Sequence, residues 1–198
     1  MKNGCYSKVL LCGALSLVAS SAFAHPGHDV SAAASLASGL LHPLTGADHL
    51  LVMLTVGVWS ALGSKSPATA LRLPAVFVAL MVAGFAAGLI APGVSAVEPM
   101  IAASLLVLGA LVALRAQLPA WAGMSIVGGF ALFHGYAHGA DLPAAASVLA
   151  YGAGFVATTA TLHATGLGLG AVARRYVAWL APVAGTGVAL YGISLLAA

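Results

Sequence analysis

Polar residues are sparse along this chain, and where they gather they divide the rest into apolar runs. After His25 there are six such runs, at about Ala33–Leu62, Leu73–Ala91, Pro99–Leu114, Ala120–Gly139, Ala144–Ala171 and Tyr176–Leu196. Crossing about 30 Å of hydrocarbon takes a helix of about 20 residues, so each run but the third is long enough, and the third suffices only if it starts earlier. The first and fifth exceed the need, which predicts tilt, a break or an ordered extension. The expected fold is an all-α integral membrane protein with six transmembrane helices in residues 25–198. The short connections leave no room for a soluble domain.

The first 24 residues read as a cleavable signal peptide rather than as a seventh span. Lys2 and Lys8 precede the apolar "VLLCGALSLVASSA", which is short for a span, and "AFA" (Ala22 to Ala24) is a small-x-small cleavage site. An uncleaved anchor is the alternative. Cys5 and Cys12 would leave with the signal, so the mature chain would hold no disulfide and no thiolate ligand.

Composition supports the membrane reading. Of 198 residues, 62% are hydrophobic and 6% charged, against about a quarter charged in soluble domains. Mean hydropathy is +1.07. The pI near 9.1 does not indicate nucleic-acid binding, because the basic residues form no patch. They do set an orientation. With His25 outside, the connections holding Lys65 and Arg72, then Arg115, then Arg174 and Arg175 all face the cytoplasm. The other side has Asp29, Glu98 and Asp141 and no Lys or Arg. This matches the positive-inside rule and places both termini of the mature chain outside, in the periplasm, with the chain in the bacterial inner membrane.

Small residues recur inside the runs. Gly84 and Gly88, Gly135 and Gly139, and Gly166 and Gly170 each stand four apart, the spacing at which helices pack closely. No G-x-x-x-x-G-K-[ST] pattern is present, so no nucleotide partner is expected, and nothing points to an enzyme.

Polar chemistry inside the runs is concentrated in three places. The first run holds "HPLTGADH", with His42, Asp48 and His49. Burying a carboxylate there costs several kcal/mol unless something pairs with it. On an ideal helix seven residues turn through about 700°, so His42 and His49 fall within about 20° of one face. Pro43 lacks an N–H and frees the carbonyl of Gly39, and irregular backbone at this depth belongs beside a cavity or under other protein. The fourth run ends "FHGYAHGAD", with His134, His138 and Asp141 at i, i+4 and i+7 on one stripe. The fifth run carries His163 among Thr158, Thr159, Thr161 and Thr165; that histidine is either satisfied by a neighbouring carbonyl or a ligand on the cytoplasmic side. Asp141 could equally end a helix, and Glu98, just before Pro99, reads as a helix-start residue. The mature terminus "HPGHD" could capture a cation through His25 and His28, or be a plain polar tail.

The first and fourth runs are equivalent members of two three-helix halves, and three is odd, so the halves have opposite topology. Interrupted helices at corresponding positions of inverted halves point to a transport site. Imidazole and carboxylate donors suit borderline divalent metals, whereas Cu(I) would want thiolates or thioethers and Mg2+ more oxygens. A divalent metal ion is therefore the expected ligand, transported rather than resident, and the lipid bilayer is the other partner. No permanent cofactor is expected.

"HPLTGADH" and "FHGYAHG", with "LHATGLGLG" in the fifth run, resemble the signatures of the HupE/UreJ family of nickel/cobalt permeases. The resemblance runs along the whole mature chain. It implies secondary uptake of Ni2+ or Co2+, serving hydrogenase or urease, with His42, Asp48, His49, His134 and His138 as the matching motif residues. Members often carry Glu after the second motif; here Asp141 keeps the charge on a shorter side chain. Two other classes remain open at this stage. One is an accessory membrane protein for metalloenzyme assembly, which uptake into proteoliposomes would separate. The other is a haem-binding electron-transfer protein with His49 and His134 as axial ligands, which an optical spectrum would reveal.

Overall fold

The computed structural model describes residues 31–198. The expected signal peptide, with Cys5 and Cys12, and the residues His25, His28 and Asp29 lie outside the described residues. Eight helices and no strand are found among those described: α1 (Ala32–Thr45), α2 (Ala47–Gly63), the single turn α3 (Pro67–Ala70), α4 (Arg72–Ile90), α5 (Val97–Ala113), α6 (Ala120–Ala140), α7 (Val148–Arg175) and α8 (Leu180–Leu196). Each apolar run became helix, with ends shifted by a few residues. By length and apolarity alone, Pro67–Ile90 and Val148–Arg175 could each cross a membrane, and α1 with α2 make a third if the bent pair is one span. At 17 residues each, α5 and α8 are shorter.

The first run is not one straight helix, and this corrects the helical-wheel argument for His42 and His49. The chain bends by 79° between α1 and α2. Gly46 leaves the helix at φ −96° and ψ 114°, so the α2 ladder restarts there, with Leu50 N donating to the Gly46 carbonyl at 3.0 Å. Pro43 cannot donate inside the last turn of α1, and the Thr45 hydroxyl donates to the His42 carbonyl at 2.8 Å. The fifth run, by contrast, is an unbroken helix of 28 residues.

Glycines sit at the contacts between paired helices. A methyl group on Gly84 or Gly88 of α4 would overlap the carbonyl oxygens of Leu132 and Tyr136 on α6, and one on Gly135 or Gly139 of α6 would overlap those of Met81 and Phe85 on α4. Gly57 of α2 meets α7 at the His163 carbonyl, and Gly166 of α7 meets the Leu54 carbonyl. Gly39 and Gly154 join α1 to α7, while Gly109, Gly185 and Gly192 join α5 to α8. Without a hydrophobic driving force in lipid, such close backbone approach is what helix association has to use. The most extensive contacts are accordingly α4 with α6, α5 with α8, and α7 with α2 and α1. Exchanging the two halves of the chain turns the α4–α6 pair into the α7–α2 pair and α5–α8 into itself.

The buried core lies between these pairs and includes Val52, Met53, Val56, Phe77, Met81, Leu105, Leu108, Val127 and Phe155. Large apolar side chains such as Ile90, Leu149, Leu190 and Val183 point outward, as expected where lipid is the solvent. The basic connections meet at one end. Arg174 donates to the carbonyls of Ala61 and Ser64 at 3.0 and 2.5 Å, and the Trp59 indole donates to the Ala116 carbonyl at 2.9 Å. A shallow cavity there is lined by Lys65, Arg72 and Gln117 among others. At the other end, Tyr136 ties down the loop before α5 through Ala91 and Val94, and Ser147 N donates to Ser35 Oγ at 3.0 Å.

Candidate metal site

The bend at Gly46 sets His42, in the last turn of α1, close to His49, in the first turn of α2, with ring centroids 6.1 Å apart. The α4–α6 and α7 contacts then bring α6 against both. His138 lies 4.7 Å from His42 and 4.9 Å from His49, and His134 lies 4.9 Å from His49, all centroid to centroid and edge to face. Two motifs about ninety residues apart in the sequence thus form one ladder of rings, ordered His42, His138, His49, His134. His42 is half-buried, while His134 and His138 have no exposed surface. Phe155 backs the ladder, stacked on His138 at 4.9 Å.

Hydrogen bonds assign the free nitrogen of most rings. Asp48 Oδ1 accepts from His49 Nδ1 at 3.0 Å and from His49 N at 2.8 Å. An ionised carboxylate only accepts, so Nδ1 carries the proton and Nε2 keeps its lone pair. Asp48 also sits in the first turn of α2, where the helix dipole favours a negative charge. Ser104 of α5 donates to the Ile101 carbonyl at 2.6 Å, so its oxygen accepts from His134 Nε2 at 3.0 Å, leaving Nδ1 as the lone-pair nitrogen. His163 Nδ1 donates to the Met53 carbonyl at 2.8 Å. The nitrogens left over, His49 Nε2, His134 Nδ1, both of His138 and His163 Nε2, are buried without a hydrogen-bond partner among the described residues. Each such orphan costs about 1–3 kcal/mol, and a lone-pair donor with no proton to meet is what a cation uses. Orienting a ligand ring through a carboxylate on its other nitrogen is the usual second layer of a metal site.

Among the described residues, no group of three or more His, Cys, Asp or Glu side chains is arranged to hold one ion as placed. The rings meet edge to face, so gathering three nitrogens on one ion requires at least one imidazole to rotate. Of the expected site residues, His42, Asp48, His49, His134 and His138 come together. Asp141 is exposed at the C-cap of α6, its N–H bonded to the Ala137 carbonyl at 2.9 Å, which fits its reading as a helix end. His163 stands apart from the ladder, with the Phe77 ring 5.0 Å from it and 5.9 Å from His134; the neighbouring-carbonyl reading holds for one of its nitrogens only. Ser104 and Tyr151 were not expected. Tyr151 is 1% exposed, its hydroxyl has no partner among the described residues, and its ring lies 6.0 Å from His42.

The family described as HupE / UreJ protein matches residues 13–195. Protein HupE of Rhizobium leguminosarum bv. viciae is 39% identical over 193 residues, covering 96% of this chain and 98% of its own length. No solved structure matches. With the family matched over nearly the whole chain and both histidine motifs folded into one cluster, the chain belongs to the HupE/UreJ family.

Proposed function

We propose that this protein is a secondary transporter that carries Ni2+ or Co2+ inward across the bacterial inner membrane, supplying a metalloenzyme such as hydrogenase or urease. The observation that carries this reading is the ladder of four imidazoles with one carboxylate in the interior of an otherwise apolar helical protein, with lone-pair nitrogens left unpartnered. Imidazole nitrogens and a carboxylate are the donors that borderline divalent ions accept, and ionisable groups at such depth mark an ion path. Family membership supports the same reading. After signal removal the chain crosses six times with both termini periplasmic; the clustering of all basic connections at one end supports this topology. The bent α1–α2 pair and α6 are corresponding members of two inverted halves, and their meeting at the ladder is where an inverted-repeat transporter holds its cargo. The metal is cargo, and the protein needs no resident cofactor and performs no bond-making chemistry.

The path begins at His42 and His138, where Asp141 adds negative charge at the mouth, continues to His49 beside Asp48 and to His134, and leaves past His163. The N-terminal His25 and His28 would add capture outside. Asp48 both fixes the His49 ring and offsets part of the cation's charge. Uptake of radioactive Ni2+ and Co2+ into proteoliposomes tests the reading. The wild type should accumulate at least one of them, and Asp48→Asn, which is nearly isosteric, should lower metal affinity by about 10–100-fold at unchanged membrane abundance. Absence of uptake by well-folded wild type would leave the accessory role and end the transport reading.

A further inference from the structure

Below the ladder lies a second group of donors that the ladder does not use. Met53 of α2, Met81 and Phe77 of α4 and Thr159 of α7 are fully buried, and His163 of α7 is 1% exposed. Thr159 and His163 stand one turn apart, as do Phe77 and Met81, so each pair shares a helix face. The Thr159 hydroxyl lies 3.3 Å from Met53 Sδ and 3.7 Å from Met81 Sδ, which brings two thioethers from different helices to one point. The His163 ring meets Phe77 edge to face, 82° apart in plane.

Buried methionines often do no more than fill irregular space. Two features here go beyond filling. On the same helix, Thr161 and Thr165 donate to carbonyls four residues back, at 2.8 and 2.9 Å, whereas Thr159 turns its proton toward weak sulphur acceptors. One turn along α7 from Thr159, the Met53 carbonyl fixes the His163 tautomer and leaves Nε2 buried, without a partner among the described residues and bearing its lone pair.

We propose that Met53, Met81, Thr159 and His163 form an inner metal-binding position of thioether, hydroxyl and imidazole character, reached from the histidine ladder past the Phe77 ring. Its place in transit rests on the transport reading; its ability to bind does not. All its donors are neutral. Thioethers take soft ions first and borderline divalent ions next, and they offer nothing to Mg2+ or Ca2+. The carboxylate that offsets a cation's charge, Asp48, belongs to the ladder, so an ion at the inner position is held less tightly and leaves more readily, as conduction requires.

Ag+ is a suitable probe, being soft and closed-shell. With the full chain carrying Cys5→Ser and Cys12→Ser in nanodiscs, so that no thiolate competes, and Ag+ below one equivalent, X-ray absorption should find sulphur bound to silver in this background and with Asp48→Asn added, and none with Met53→Leu/Met81→Leu added. Leucine nearly conserves the volume of methionine, so each change should cost less than about 1.5 kcal/mol. If the double variant fails to fold, Met53→Leu and Met81→Leu singly should each lower the sulphur count. In proteoliposomes the double variant should take up Ni2+ at least about tenfold more slowly, with half-saturation within about twofold of the wild type because the ladder is intact. A silver shell without sulphur in the Cys5→Ser/Cys12→Ser background, or wild-type Ni2+ uptake by the double variant, overturns the proposal. If the wild type carries no metal at all, the transport reading fails and the silver spectrum still decides the inner position.

Discussion

A histidine serves a cation only through the nitrogen that carries no proton, and in this protein the partner on the opposite side of the ring chooses it. Asp48 does so for His49, Ser104 for His134 and the Met53 carbonyl for His163. Ser104→Ala tests this device. It leaves the His134 Nε2 proton without an acceptor in a fully buried site, so the protein should lose about 1–3 kcal/mol of stability, read by thermal unfolding. Metal affinity should fall as well, because the ring no longer holds one tautomer; a variant unchanged in both would show that Ser104 only fills space. Sequence revealed the histidines and Asp48 because such groups are out of place in apolar runs. It could not reveal Ser104, a single hydroxyl in "IAASLLVLGALVAL", since small hydroxyl residues are common in packed membrane helices whatever their role.

The elements were legible as apolar runs and their pairing was not. Glycines four apart announced close-packing faces on α4, α6 and α7, yet nothing in that spacing says that α4 chooses α6 or that α7 chooses α2. Partner choice depends on which backbone carbonyls come opposite, and that is a property of three dimensions. Pro43 and Gly46 likewise announced an interruption without its angle, and the 79° bend rather than a shared helical face brings His42 to His49. Two glycines in one helix separate packing from propensity. Gly135→Ala drives a methyl group into the Met81 carbonyl and should cost about 1–3 kcal/mol. The same change should lower uptake, since α4 carries Phe77 and α6 carries two of the four ladder histidines, His134 and His138. Gly129 has open space where a methyl would go, so Gly129→Ala should be neutral or stabilising by up to about 1 kcal/mol. Thermal unfolding of the two variants side by side checks the contrast, and equal losses would mean that backbone contact is not what holds α4 to α6.

At the scale of the whole molecule, the charges are distributed unequally between the two ends. Lys65, Arg72, Arg115, Arg174 and Arg175 belong to connections that gather at one end, while Glu98 and Asp141 belong to the other, an asymmetry already legible in the loops because it depends on chain order alone. Single cysteines at Ser64 and Ala198 should therefore label from opposite sides of the membrane; labelling of both from the periplasm would rule out six crossings. The proposed orientation bears on how uptake would be driven. If the chain transports metal as proposed, a gradient is the expected source of energy. One charge moving through about 100 mV gains about 2.3 kcal/mol, so a divalent cation entering uncompensated gains about 4.6 kcal/mol. At about 1.4 kcal/mol per tenfold, that supports more than a thousandfold accumulation. On the proposed path, the acidic mouth would draw the cation in and the ladder would replace its water, and beyond Asp48 no carboxylate would detain it among the described residues. Proteoliposomes holding an inside-negative potential and no pH gradient should accordingly accumulate Ni2+ or Co2+, and clamping the potential to zero should stop net accumulation. If accumulation instead follows a pH gradient and ignores the potential, protons leave in numbers that cancel the charge of the metal. The ladder would then still bind the ion, but each step inward would be coupled to proton release, and passage driven by potential alone would be ruled out.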